Sequence, residues 1–549
     1  MKYINLIFLF IAFNLGVYFF LSSSFINPDG IGYVSYLPTV LFQRTFNFFP
    51  FYHFFHLQIP DAITAPGWPV NIWSFGSAFL WSPVYGLGKL GQIIAGQRML
   101  PFNATDMALI NSSSMLLGLG AFWFMVDSSR RFNLPGRALA SLTAFFGTPL
   151  FFYAFMAGTT SHAASAFMTG GAVWFWISTR NVKDFLRWFC LGILCGIAAM
   201  VRPQEGLVLI LPFWDIIARR WREKEIPSPV FKAAGGVFLG FIVGFFPQAL
   251  IWRMMYGSFF HAPSAFNLRW NYFALPEILF SSFHGLLTWT PLFLLSVIGL
   301  MWDMKGEGGP LLAFLLAQIF LNSFSLAWWE GFSFGLRQMT GSAVVVSIGI
   351  GFFLKMADQR FKGNFARRWA RLGVVLCALW TLLLSLNAIA GSLQLLFYVS
   401  PASLISLSWK WENLFQGLYA KWAGFSQPFS SLFLILLFVE MMGLAIFLRF
   451  NNFLEKNKIP LILGGAVFLL AVSDFSIAVA GFSAQSPVHG LALNEKELDF
   501  FFKSQVDYVY AEYYAARGIN DKSMEYRQKA IKFLPESPLT EPWRQKFRQ

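Results

Sequence analysis

The stretch GGVFLGFIVGFFPQALIWRMM (235–255) decides the fold class, because its 21 residues include only one charged side chain, Arg253. A run of about 20 apolar residues is long enough to cross a bilayer as an α-helix. Similar runs recur at 4–21 and 433–448. With 56% hydrophobic and 12% charged residues, the chain also departs from soluble domains, in which about 25% are charged. These features predict an all-α, polytopic transmembrane helical bundle.

The apolar runs predict about 13 transmembrane helices. They cover residues 4–21, 106–126, 138–157, 164–179, 188–201, 204–218, 233–252, 285–302, 310–327, 339–355, 372–394, 429–448 and 460–481. The first run follows Lys2 and could be a signal peptide, but its 18 residues exceed the apolar core of about 7–15 residues in such peptides. We therefore interpret it as a retained helix.

Lysine and arginine residues set the orientation, because cytoplasmic loops carry an excess of them. With the N-terminus inside, the cytoplasmic loops hold more than twice as many as the outer loops before the tail. This predicts a transmembrane domain over 1–481, whose first outer loop (22–105) contains interfacial helices around 71–96. The tail (482–549) would face outward as a hairpin resembling one tetratricopeptide unit, available to a protein partner, or else as a solvated extension.

The net charge of +14 arises largely from those cytoplasmic loops, so it does not indicate a nucleic-acid partner. The three cysteines, Cys190, Cys195 and Cys377, lie inside apolar segments. They indicate neither a disulfide framework nor a metal–thiolate site. The sequence contains no phosphate-binding loop and no dinucleotide-binding glycine motif. Function must therefore be sought among the few polar residues near the membrane surface.

These polar residues gather at the predicted outer ends of the apolar segments, where ionisable groups commonly mark a functional site. They are Asp29, Asp61, His162, Arg202, His261, His284, Glu330 and Arg337. Asp29 could act as a general base, although Pro28-Asp29-Gly30 also fits a simple turn. Arginines at this level suit a phosphate or phosphodiester, but they can also extend to lipid headgroups.

Histidine and aromatic side chains at the same level allow two further interpretations. His162, His261 and His284 could bind zinc with nearby carboxylates. They are too far apart in sequence to form a short His-x-x-His pair, which favours hydrogen bonding to a polar substrate or to loop backbone. Trp328-Trp329-Glu330 suits recognition of a sugar, and equally a membrane interface. We predict no cofactor and keep a divalent cation as an alternative.

Six segments, in order, resemble a known family. They are DGIGYVSYLPTVLFQRTFNF (29–48), TAPGWPVNIWSFGSAFLWSPVY (64–85), GTPLFFYAFMAGTTSHAASAF (147–167), VRPQ (201–204), LFSSFHGLLTWTP (279–291) and GFSFGLRQ (331–338). Together they resemble the C-type glycosyltransferases, specifically the bacterial lipopolysaccharide-core galacturonosyltransferase group and other family-39-like members. The resemblance extends more distantly to the lipid A aminoarabinose transferases and the protein O-mannosyltransferases. Thr64 and Gly67 are separated by Ala-Pro, which departs from the family pattern.

The resemblance implies a site on the periplasmic or exterior face of a bacterial inner membrane and a polyprenyl-phosphate-linked sugar as donor. It implies Asp29 as the catalytic residue. We predict that the substrate is bound by Tyr33, Asp61, His162, Arg202, His261, His284, Glu330 and Arg337. The implied reaction is inverting transfer of a hexosyl or pentosyl group to a hydroxyl of an envelope glycolipid or glycan, such as lipopolysaccharide. Gly30 replaces the second acid of the protein O-mannosyltransferases, which disfavours a protein acceptor.

Two other functions fit a polytopic chain with a basic cytoplasmic face. One is a lipid or solute transporter, and the other is a non-catalytic assembly factor that docks through its tail. The hydrophobic runs show no repeated half, and the polar residues lie at one surface rather than at mid-membrane. Both observations favour the enzyme.

Overall fold

The computed structural model describes residues 28–41, 45–48, 51–52, 70–94, 104–182, 184–222, 227–260, 268–325, 328, 333–361, 363–390, 401, 404–405, 511, 520–534 and 544–545. Within these residues the regular elements are helical, and one isolated bridge joins Leu268 to Ser325. The α-helices are α1 (Pro28–Leu41), α2 (Gly76–Ile94), α3 (Ala104–Arg131), α4 (Arg137–Phe146), α5 (Leu150–Phe155), α6 (His162–Ser178), α7 (Phe185–Val201), α8 (Ile210–Arg222), α9 (Pro227–Tyr256), α10 (Leu275–Phe280), α11 (Leu286–Trp289), α12 (Leu292–Trp302), α13 (Gly308–Asn322), α14 (Ala343–Arg360), α15 (Asn364–Ala390) and α16 (Asn520–Phe533). Two 3₁₀ helices, Pro203–Leu209 and Arg337–Ser342, lead into α8 and α14.

Four described segments are long and apolar enough to cross a membrane. They are Leu109–Arg131, Pro229–Tyr256, Arg337–Arg360 and Asn364–Ile389. The prediction of a polytopic helical membrane protein is therefore confirmed. The runs predicted at 4–21, 429–448 and 460–481 lie outside the described residues, so the total of about 13 spans stays a prediction.

Two of the predicted spans are wrong as single helices. The run at 138–157 is divided into α4 and α5, and the run at 285–302 into α11 and α12. Each division falls at a Thr-Pro pair, Thr148-Pro149 and Thr290-Pro291. A proline has no backbone N–H to donate and disfavours helical geometry in the residue before it, so each helix ends there and a new one begins.

The stretch that was predicted to be interfacial forms α2, which packs along the start of α3. A buried ion pair joins the two helices, with Lys89 Nζ 2.6 Å from Asp106 Oδ1. Because a charge without a partner is costly in an apolar environment, this pairing explains how both residues occur in hydrophobic helices. The interfacial placement itself stays a prediction. For the predicted hairpin of the tail, the second helix is described, as α16.

Buried apolar side chains form two large clusters. The larger one fills the space between α3 to α7 and α11 to α15. The second joins α1 and α2 to the start of α3 and the end of α9, with Trp81 and Tyr85 at its centre. The second cluster therefore packs α1 and α2 against the helical bundle.

Helices α7 and α9 make an unusually close contact through glycines spaced four residues apart. A Cβ atom at Gly192 or Gly196 would overlap the backbone of α9, and one at Gly240 or Gly244 would overlap the backbone of α7. Small residues at this spacing let two membrane helices approach closely enough for extensive van der Waals contact. This contact fixes the position of α7, whose last residue immediately precedes Arg202.

We expect Gly240→Ala to lower the melting temperature of the detergent-solubilised protein, because the added methyl group forces α7 and α9 apart. Overpacking of this kind costs about 1–3 kcal/mol. Gly235→Ala, in the same helix, is the matched control, because no atom lies within 4 Å of its Cβ position. Equal melting temperatures for the two variants would contradict the proposed close contact.

Candidate active site

Several helices bring polar side chains to one end of the bundle. Helix α6 begins at His162, α7 ends directly before Arg202, and Arg337 begins the 3₁₀ helix that leads into α14. The other ends of α7 and α14 carry Arg187 and Arg360. The candidate site and these basic residues therefore lie at opposite ends of the helices.

Asp29 lies in the first turn of α1 rather than in a simple turn. Pro28 suits the first helical position because its φ is already fixed there, and a carboxylate near a helix N-terminus is favoured by the helix dipole. One Asp29 oxygen pairs with Arg337 Nη1. The other oxygen accepts a hydrogen bond from Trp73 Nε1 at 3.3 Å. The Asp29 side chain is 31% exposed, so it remains reachable from outside.

The position of Trp73 is set by contacts with α1. Asn71 Oδ1 accepts from the Trp73 backbone N–H at 3.0 Å, and Asn71 Nδ2 donates to the carbonyl of Gly32 at 3.2 Å. The Tyr36 hydroxyl donates to the Trp73 carbonyl at 2.8 Å. A Cβ at Gly32 would overlap the indole ring, so glycine is required for this packing. These contacts thus hold the Trp73 N–H donor against Asp29.

Arg202 lies on the same side of the site and is held by α6. It has extended backbone geometry, as expected for a residue before proline. Its Nη1 lies 2.9 Å from His162 Nδ1 and 3.5 Å from Ser161 Oγ. Because guanidinium nitrogens only donate, the histidine nitrogen is the acceptor. Among the described residues Arg202 makes no ion pair, so its remaining donors can bind an anion.

Two tyrosines complete the wall of the site. Tyr33, in α1, interacts with Ser161 and lies within electrostatic range of Asp29 and Arg202. Tyr153 packs its ring 4.1 Å from the ring of His162, and its hydroxyl accepts from the backbone N–H of Phe334 at 2.8 Å.

The local electrostatics favour an ionised Asp29. Burial opposes ionisation, but the charge and hydrogen bond of Arg337, the Trp73 N–H and the charge of Arg202 together outweigh it. The pKa of Asp29 is therefore lowered from its ordinary value. A carboxylate that is paired in this way is a weak base until Arg337 releases it.

The structure brings together five of the residues predicted from sequence: Asp29, Tyr33, His162, Arg202 and Arg337. His284 lies instead in an adjacent aromatic cluster, with its ring 5.0 Å from that of Trp289. The ring centroid of Trp289 lies in turn 5.3 Å from that of Phe334. Asp61, His261 and Glu330 lie outside the described residues.

The described residues contain no group of three or more histidine, cysteine, aspartate or glutamate side chains that could hold a metal ion. Asp61, His261 and Glu330 are not among the residues tested in this way. A requirement for a divalent cation therefore stays an untested alternative.

Sequence reasoning missed Trp73, Tyr153 and Glu205 as parts of the site or its support. Trp73 and Tyr153 lie within two of the segments that carry the family resemblance, which was the available signal. Glu205 follows Arg202 by three residues and is fully buried. An acid beside an arginine at a helix end is typical of the protein surface, so no feature of the sequence indicated its burial.

Comparisons with known proteins found no matching family model and no matching curated protein. Among solved structures, the chain is similar to ArnT from Cupriavidus metallidurans bound to undecaprenyl phosphate, at 15% identity and a TM-score of 0.44, covering 88% of this chain and 79% of that one.

It is also similar to the Archaeoglobus fulgidus oligosaccharyltransferase, at 14% identity and a TM-score of 0.40. The form tethered to an acceptor peptide with an NVT sequon is matched over 71% of this chain and 55% of that one, and the apo form over 71% and 56%.

The Asp29–Arg337 pair predicts a pH-dependent stability. Because the folded pKa of Asp29 is lowered, the pair stabilises the fold above the ordinary aspartate pKa of about 3.9 and is lost as the pH falls through the folded pKa. We expect Asp29→Asn to melt below wild type at neutral pH, with the difference shrinking progressively as the pH falls below about 3.9. A difference in melting temperature that stays constant between pH 5 and pH 3 would contradict an ionic origin.

Proposed function

We propose that this protein is a C-type glycosyltransferase that moves a sugar from a polyprenyl-phosphate donor to a hydroxyl of an envelope glycolipid or glycan. The observation that carries the proposal is the meeting of one accessible carboxylate, Asp29, with two arginines, Arg202 and Arg337, at one end of an apolar helical bundle. A lipid-linked phosphosugar has its chain in the bilayer and its charged group at the interface, which is where this proposal puts these side chains.

In the proposed reaction the acceptor oxygen attacks the anomeric carbon of the donor sugar. The bond between that carbon and the phosphate oxygen breaks, and the polyprenyl phosphate leaves with the bonding electrons. Asp29 takes the proton of the acceptor hydroxyl as general base, and the arginines stabilise the charge that develops on the phosphate. A single displacement of this kind inverts the configuration at the anomeric carbon.

The Asp29–Arg337 pair connects donor binding to catalysis. While the pair is intact, the lowered pKa makes Asp29 a poor proton acceptor. A donor phosphate that binds Arg337 would compete with Asp29 for the same guanidinium. Asp29 would then regain basicity only when donor is present, which limits unproductive deprotonation. Trp73 would keep the freed carboxylate in place through its N–H.

The proposed location is a bacterial inner membrane, with the site facing the periplasm or cell exterior. The support is that basic residues, which favour the cytoplasm, occupy the helix ends opposite the site. The donor, the membrane lipid and a glycolipid or glycan acceptor are the partners in this proposal. A hexosyl or pentosyl group is the proposed cargo, and lipopolysaccharide is the proposed type of acceptor.

Asp29→Asn keeps the size of the side chain but cannot accept the proton. We expect glycosyl transfer by the purified variant to fall by about 10²–10⁴-fold, while binding of the polyprenyl-phosphate sugar survives. Arg202→Ala and Arg337→Ala should instead weaken donor binding, because they remove donors to the phosphate. Donor binding and transfer are measured separately on each variant.

Asp127→Asn is the matched control, because it removes a buried carboxylate that pairs with Arg131 at the other end of α3. We expect it to leave donor affinity and turnover near the wild-type values. An active Asp29→Asn enzyme would contradict the catalytic role of Asp29. Movement of the intact lipid across the membrane without transfer would favour the transporter.

A further inference from the structure

The two arginines of the site are each attached to a 3₁₀ helix, and these two helices contact each other. Arg202 precedes the helix Pro203–Leu209, and Arg337 begins the helix Arg337–Ser342. The Gln204 side chain joins them by donating from Nε2 to the carbonyl of Gln338 at 2.8 Å. The side chain of Gln204, two residues after Arg202, is therefore bound directly to the backbone of Gln338, the residue after Arg337.

Behind this contact lies Glu205, whose side chain is fully buried. One carboxylate oxygen accepts from Ser165 Oγ at 2.5 Å. The other accepts from Thr169 Oγ1 at 3.2 Å and from Gln318 Nε2 at 3.0 Å. These three donors come from α6 and α13, so the carboxylate fixes the first 3₁₀ helix to two helices of the bundle.

The second 3₁₀ helix packs against the same carboxylate. A Cβ at Gly341 would overlap the oxygens of Glu205, so the two helices approach closely only because residue 341 is glycine. Gln318 Nε2 also lies 3.2 Å from the carbonyl of Gln204. In addition, the Glu205 backbone N–H donates to the Arg202 carbonyl at 2.8 Å. Glu205 thus contacts, directly or through one bond, the segments that carry both arginines.

A buried carboxylate is costly in a membrane protein, and apolar packing would hold two helices together at lower cost. A carboxylate offers something that apolar groups lack, because it accepts several hydrogen bonds from fixed directions. Glutamine in place of Glu205 would direct its NH₂ group at side chains that are themselves donors. The bound carboxylate therefore fixes the position of the 3₁₀ helix, which apolar contact alone would not do.

We propose that Glu205, with Gln204, is a positioning residue that sets the separation of Arg202 and Arg337 so that both bind one phosphate group of the lipid-linked donor. This inference rests on the proposed function. It predicts that Glu205 acts on phosphate binding only through the arginines. A residue that merely stabilises the fold would act independently of them.

A double-mutant cycle separates these roles. Binding of undecaprenyl phosphate in detergent micelles is measured for wild type, Glu205→Gln, Arg202→Ala and the double variant. We expect Glu205→Gln to weaken binding about tenfold in the wild-type background and less than twofold when Arg202 is absent. Binding of undecaprenol, which lacks the phosphate, should change less than twofold in every variant.

Gly341→Ala provides a second test that leaves every charge in place. Its methyl group would displace the Glu205 carboxylate, so we expect a loss of affinity similar to that of Glu205→Gln. Gly206→Ala, in the first 3₁₀ helix, is the matched control, because its Cβ would make only an ordinary contact with Ala199 at 3.4 Å. Gly206→Ala should bind undecaprenyl phosphate as wild type does. The Gly341 variant also decides the matter if Glu205→Gln fails to fold.

Additive effects of Glu205→Gln and Arg202→Ala, or wild-type affinity in Gly341→Ala, would overturn the positioning role and leave the proposed function intact. Wild-type protein that fails to bind undecaprenyl phosphate above undecaprenol would overturn the proposed function, and this inference with it. The positioning role would be supported if Glu205→Gln weakens binding about tenfold only when Arg202 is present, and if Gly341→Ala weakens binding similarly.

Discussion

The ion pair between Asp29 and Arg337 is the interaction on which the proposed site depends. The two residues are 308 positions apart in sequence, so only the folded bundle can bring them together. Either charge without the other would destabilise the fold, because an isolated charge near an apolar interior is costly. The rest of the described structure can be understood as the support that makes this pairing, and its controlled opening, feasible.

That support comes from two sides. Asp29 is held by α1, by the Trp73 indole and by the apolar cluster that packs α1 and α2 against the bundle. Arg337 and Arg202 are held by two 3₁₀ helices, and Glu205, which belongs to one of them, packs against the other. The tight contact of α7 with α9 fixes the end from which Arg202 extends. If the support on either side were flexible, the charges could move apart, and the geometry needed for the proposed binding of one phosphate would be lost.

Sequence reasoning identified the helical membrane fold, because apolar runs report directly on the surroundings of each segment. It also named five side chains that meet in the structure, whose roles stay predictions, as does the orientation inferred from charge asymmetry. The helix breaks at Pro149 and Pro291 were missed because hydrophobicity alone does not register a missing backbone N–H. Glu205 and Trp73 were missed because their importance lies in contacts between distant segments, which no single stretch of sequence records.

We infer that a donor phosphate displaces Asp29 from Arg337. A cryo-electron microscopy structure of the protein with undecaprenyl phosphate tests it most directly. We predict the phosphate within hydrogen-bonding distance of both Arg202 and Arg337, with the Asp29 carboxylate no longer paired to Arg337 and still in contact with Trp73. A phosphate bound elsewhere, with the Asp29–Arg337 pair intact, would contradict the account.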